Sequence, residues 1–165
     1  MSASDIARVI EQEAALVFER FNEATAFEIG SRLRERALAE NLPIVIEIRF
    51  WDRLLFYAAL PGSTASNTDW VRRKMNTVKM FHKSTYRMVL EQNSPDRLFK
   101  SYYGLDPADY VLAGGAFPIH VTGTGVVGAI AVSGLPQRQD HAVVVAAIAE
   151  HLKLDGAALA LAAED

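Results

Sequence analysis

Asn67, Trp70, Arg73 and Lys74 stand three, three and one residues apart. On a helix that spacing gathers an amide, an indole, a guanidinium and an ammonium on neighbouring surface. Together they offer several N–H donors, two positive charges and an aromatic wall, the chemistry that holds a carboxylate or a phosphate. The same residues also suit a solvated helix face, or an ion pair across an interface between copies. Between Trp70 and Leu90 there are six Lys or Arg and no Asp or Glu. Like charges four apart on a helix cost roughly a few tenths of a kcal/mol per pair, so such a run invites an anionic counterpart.

Two of the four histidines are candidates for ligation or acid–base work. His82 follows the basic run, and His141 stands beside Asp140 at the start of a helical segment. Asp140 can orient the imidazole or simply cap backbone N–H groups. His120 and His151 receive no role. Ser133 precedes Gly134 at a strand end, but G-x-S-x-G is absent, so no serine nucleophile is expected. Gly114-Gly115 lets a ligand approach the backbone closely, or makes a plain bend. There is no cysteine and no H-E-x-x-H, which excludes disulfides and thiol catalysis and leaves no zinc motif.

One motif misleads. Gly123-Thr124-Gly125-Val126-Val127-Gly128 spells the dinucleotide fingerprint G-x-G-x-x-G. That fingerprint needs a helix directly after it, whose N-terminus receives the pyrophosphate. Here Ala-Ile-Ala-Val-Ser follows, a strand pattern. The glycines are therefore expected to turn a hairpin, with Gly128 marking a bulge or a close approach.

The elements that must position these residues follow from periodicity. Apolar residues at helical spacing predict a helix over about 4–21, and Thr25-x-x-Glu28 a capped second helix to about Glu40. Ile44 to Phe50 alternates Ile, Ile, Ile and Phe against Glu47 and Arg49, a strand, with residues 53–60 as its hairpin partner. Asn67 or Thr68 can cap a third helix starting near Asp69, with a break near His82 to Ser84. Residues 94–109 form an irregular connection with a short helix. Three short strands (110–113, 117–121 and 126–133) lead to a helix over about 137–152 and a short closing one. The order implies an α+β chain, with a profilin-like or PAS-like antiparallel sheet of about five strands flanked by helices.

The 165 residues fit one domain spanning 1–165. Half of them are hydrophobic and 22% are charged, as in globular proteins in general. A net charge of −3 argues against a nucleic-acid partner. With no signal-like start and no membrane-length apolar run, the expectation is a cytoplasmic protein without a membrane partner.

Several segments together resemble a known family. They are Gly114-Gly115-Ala116-Phe117-Pro118-Ile119, the run Gly125 to Gly134, Asn67-x-x-Trp70-x-x-Arg73-Lys74-x-Asn76-Thr77-Val78, Ser133-Gly134-Leu135-Pro136 and Gln139-Asp140-His141. The chain resembles the haem-degrading-domain family, which includes glycolate-operon accessory proteins and haem-binding sensor partners. It is most similar to an uncharacterised bacterial and fungal branch. The resemblance implies a profilin-like sheet, a homo-oligomer, and a pocket for a small anionic ligand. It fixes no reaction.

Three functions stay open at this level. The first is a non-enzymatic oligomeric domain that binds a small anionic molecule through Asn67, Trp70, Arg73, Lys74 and the glycine pair. The second is a haem-binding or haem-degrading protein using His82 or His141. The third is an interaction module whose basic helix docks an acidic partner.

Overall fold

A computed structural model describes residues 3–164. Its centre is a four-stranded antiparallel sheet in the order β2-β1-β4-β3, built from β1 (Val45–Phe50), β2 (Arg53–Ala59), β3 (Ala116–Val121) and β4 (Gly125–Ser133). Six helices flank it: α1 (Ala3–Ala15), α2 (Glu23–Ala39), α3 (Ala65–Phe81), α4 (Thr85–Gln92), α5 (Gln137–His151) and α6 (Gly156–Leu159). The architecture is α+β, as the pattern of elements implied.

Side-chain size decides which helix lies on which face. Ile44, Ile46 and Ile48 point with Phe117, Ile119, Ile130 and Val132 into the larger core, against α2 and α5. The opposite face presents Val45, Ala116, Ala129 and Ala131 to Val71, Met75 and Val78 of α3. Alanines at three of these positions leave room for the helix to sit close to the strands. A third cluster, around Val9, Tyr86 and Leu112, seats α1 against α4.

Several boundaries differ from those read in the sequence, each for a local reason. The first helix stops at Ala15, because Phe18 leaves it to bridge Val121 at the β3 edge. In α2 the cap is Asn22: its Oδ1 accepts from Thr25 N–H, and Thr25 Oγ1 accepts from Asn22 N–H. Thr25 is thus the third helical residue and not the cap. Likewise α3 begins four residues before Asp69. Thr64 is its N-cap, and Asn67 Oδ1 accepts from Thr64 N–H at 2.9 Å. The break near His82 is present. His82 ends α3 in the left-handed region, and Ser84 caps α4.

The sheet has four strands and not about five. Residues 110–113 are buried or half-buried, but a helix side chain and the backbone of the irregular connection satisfy their polar groups in place of a strand. Thr77 Oγ1 donates to Val111 O and accepts from Val111 N–H, while Leu112 N–H donates to Arg97 O. The glycine motif is a β3–β4 hairpin, with Gly123 and Gly125 at φ +76° and +106°. No described helix is long and apolar enough to cross a membrane.

Candidate functional site

At one end of the sheet, α3 and α5 meet from opposite faces. Between them lies a cleft of about 270 Å³. Asn67, Trp70 and Lys74 line it from α3, and Ser133, Gly134 and Leu135 from the end of β4 and the turn that follows. Gln137 and Asp140 line it from the first turns of α5, and Arg97 from the irregular connection.

Lys74 is the floor of this cleft. It is 2% exposed, and Nζ donates to Val132 O at 2.9 Å and to Asp140 Oδ2 at 3.1 Å. Burial pushes the lysine down and the aspartate up from their ordinary values, and mutual attraction opposes both shifts. The second oxygen of Asp140 accepts from Leu135 N–H, which folds the Ser133–Pro136 turn back over the pair. An ammonium has three donors. Two are used, and the third has no partner among the described residues.

Glycine is required above this pair. Gly115 has φ +128°, and a Cβ there would stand 2.5 Å from Val132 O and 2.7 Å from Lys74 Nζ. Gly114 packs on Tyr86 and the Gln137 carbonyl, and its N–H donates to Gln137 Oε1 at 3.1 Å. The pair brings two segments close together, so backbone approach is the reason for both glycines.

Not every residue singled out in the sequence reaches the cleft. Arg73 turns aside and stacks its guanidinium over the Trp70 ring, 4.2 Å from the centroid, with Nε 3.0 Å from Asp69 Oδ2. It braces the indole and does not line the cleft. His82 is exposed at the far end of α3, twelve residues or about 18 Å from Trp70 along the axis. His141 is fully buried. Gln12 Nε2 donates to Leu159 O, which leaves Gln12 Oε1 to accept from His141 Nε2 at 2.8 Å. Burial, with Arg138 adding to it, lowers His141 to about 3, so it stays a neutral imidazole, with its single proton on Nε2, and takes up no second proton at ordinary pH. Neither preferred histidine reaches the cleft.

The structure adds Arg97 and Asp140. Arg97 holds a left-handed backbone at φ +60°, uncommon for a residue with a Cβ. Its guanidinium has no hydrogen bond or ion pair among the described residues. Nothing in the irregular 94–109 segment signalled this placement. Asp140 stood in a legible motif, but its partner is 66 residues away.

The basic run is not bare. Arg72 pairs with Asp69 and Asp109, Arg73 with Asp69, Lys74 with Asp140, Lys83 with Glu91, and Arg87 with Glu13 and Glu91. Acids at the flanks of the run, Asp69 and Glu91, and acids from other segments, Glu13, Asp109 and Asp140, thus neutralise most of the stripe that an acidic partner would need. A larger groove of about 640 Å³ lies along α3 over Glu47, Arg49 and Trp51, but Arg49 and Arg72 there already have acids beside them. Among the described residues no cluster of His, Asp and Glu could hold a metal ion.

Comparison with known proteins covers nearly the whole chain. A family model described as haem degrading protein HbpS-like matches residues 21–149. A UPF0303 protein of Mesorhizobium japonicum is 62% identical over 162 residues, 98% of this chain and 97% of the relative. One from Brucella canis is 58% identical over 158 residues, 96% and 94%. Among solved structures, the Ybr137w protein superposes with a TM-score of 0.81 at 22% identity, covering 90% of this chain and 87% of that one. HbpS gives 0.62 at 16%, covering 81% and 90%, and a PduOC:heme complex 0.63 at 19%, covering 81% and 94%. At these identities the structures speak for the fold.

Proposed function

The chain belongs to the HbpS-like family of haem degrading proteins, and from that premise we propose that it is a small-molecule-binding domain whose α3–α5 cleft takes a small anion. The observation that carries this reading is the pair of unfilled donors at the cleft, the third N–H of Lys74 and the guanidinium of Arg97. Asn67 adds an amide and Trp70 a flat apolar wall, braced from behind by Arg73. A carboxylate or phosphate of a few heavy atoms fits the volume and completes both cations. No bond-making machinery is part of this reading. The domain works as a homo-oligomer.

Haem is the second reading, favoured by the family and by the PduOC:heme complex among the structural relatives. The cleft residues do not fit that group. Haem iron takes an axial His, Cys, Met or Tyr, and none lines the cleft. His141 is sealed behind Gln12, and His82 lies at the other end of α3.

Thermal denaturation with added phosphate, sulfate or small carboxylates tests the proposal. At about 100 times Kd, binding adds about 2.7 kcal/mol, a rise in Tm of roughly 5–10 °C at this size. A parallel haem titration separates the readings: a shifted Soret band with no anion effect favours the second.

A further inference from the structure

Lys74 Nζ has four tetrahedral positions. Cε fills one, and the hydrogen bonds to Val132 O and Asp140 Oδ2 fill two. The fourth has no protein partner among the described residues, and Lys74 borders the cleft. A carboxylate stands 3.1 Å away, and the Arg97 cation lines the same small space. Desolvation and a neighbouring cation are the two means by which a lysine becomes a nucleophile. Burial first, and then Arg97, lower Lys74 while Asp140 opposes them, and burial raises Asp140 against the pull of Lys74. At 3.1 Å the carboxylate oxygen is placed to accept a proton from the ammonium.

Resting on the anion reading of this cleft, we propose that its ligand is a small 2-oxo acid and that Lys74 condenses with the ligand's carbonyl to form an imine. The ligand's carboxylate meets Arg97 and Asn67, and its carbonyl carbon meets Nζ. Asp140 takes a proton from the ammonium, and the freed amine pair bonds to the carbonyl carbon. The carbonyl π pair moves to oxygen, which the Asp140 proton neutralises, giving a carbinolamine. Asp140 then takes the second amine proton and delivers it to the hydroxyl. The C–O bond breaks, water leaves, and the nitrogen pair closes the C=N bond. In sum, an ammonium and a ketone give a protonated imine and one water, with no oxidant or reductant. The proposal ends at the imine.

The rival is a buried ion pair that only ties α3 to α5. Intact protein incubated with pyruvate and cyanoborohydride separates the two, with adducts located by peptide mass mapping. The expected result is one reduced adduct per chain, on Lys74, in preference to the exposed Lys79, Lys100 and Lys153. Arg97→Ala, an exposed change that leaves the fold intact, slows adduct formation about tenfold, the effect of losing one charge-assisted bond. No adduct, or adducts spread over the exposed lysines, overturns the imine. Lactate, which has no carbonyl, is the companion probe. If lactate and pyruvate both raise Tm and no adduct forms on Lys74, the imine fails and the anion site stands. If no adduct forms and neither these two nor phosphate raises Tm, both fail.

Discussion

Lys74 Nζ lies 3.1 Å from Asp140 Oδ2, with both side chains 3% exposed, and this contact joins helices that pack on opposite faces of the sheet. The pair sits under Gly115 and against the Val132 carbonyl, where β4 ends. It is both the floor of the cleft and a fastening between layers, so its removal has consequences for stability as well as binding.

Lys74→Met leaves a buried carboxylate without its cation, and Asp140→Leu leaves a buried ammonium without its anion. Breaking a buried pair from one side costs about 3–5 kcal/mol. The double variant exchanges both charges for apolar groups and is less destabilised than the sum of the singles. Urea denaturation of the four proteins measures this. Additive losses would show that the two side chains do not interact.

Gly115→Ala is expected to be among the most damaging single-methyl additions. Backbone conformation and space both oppose it, since the new Cβ would press on Val132 O, Lys74 Nζ and Asp140 Cβ. A loss of roughly 2 kcal/mol or more is expected, consistent with overpacking and a strained backbone acting together. Gly123→Ala is the comparison. It shares a positive φ but meets nothing within 4 Å, so it costs only the strain of its backbone, about 1 kcal/mol. Equal melting temperatures for the two variants would contradict the close-packing account.

His141 sets a pH dependence. In the fold it is held down to about 3, and in the unfolded chain it returns to 6.5. Below 6.5 the unfolded chain binds a proton that the folded chain refuses, so stability falls as pH falls, until the folded histidine also titrates near 3. Above 6.5 the contribution is complete. The total is on the order of a few kcal/mol. NMR of the imidazole should show no titration of His141 between about pH 5 and 8, with Nε2 carrying the proton given to Gln12. An imidazole that protonates near 6.5 would overturn the assignment.

The homo-oligomer is checked by light scattering at micromolar concentration. The expected mass is at least twice 18.1 kDa. A monomer at that concentration contradicts the oligomeric part of the proposal.

Local chemistry explains what was legible in the sequence. Alternation in Ile44–Phe50 located β1, and the strand pattern after Gly128 turned the G-x-G-x-x-G motif into a hairpin. Asn67, Trp70 and Lys74 were legible as neighbours because helical spacing alone puts them together, and they do line one cleft. Arg73 shares that spacing, but whether a side chain at that angle faces the cleft or the Trp70 ring depends on tertiary packing. Burial was the other blind spot. His141 has the type and setting of a ligand, and only the fold shows Gln12 from α1 closing over it. Arg97 lies in an aperiodic segment, where no pattern predicts direction. The expected fifth strand failed because Thr77, on a helix, satisfies both backbone groups of Val111 that a strand would otherwise pair.

The most direct test of the anion cleft compares wild-type protein with Arg97→Ala by calorimetric titration of pyruvate and phosphate. Arg97 is exposed and has no bonded partner among the described residues, so its loss leaves the melting temperature in ligand-free buffer unchanged. The account predicts saturable binding of at least one of the two anions to the wild type, weakened about tenfold or more in the variant. Absence of binding to the wild type, or equal affinity in the two proteins, would contradict it.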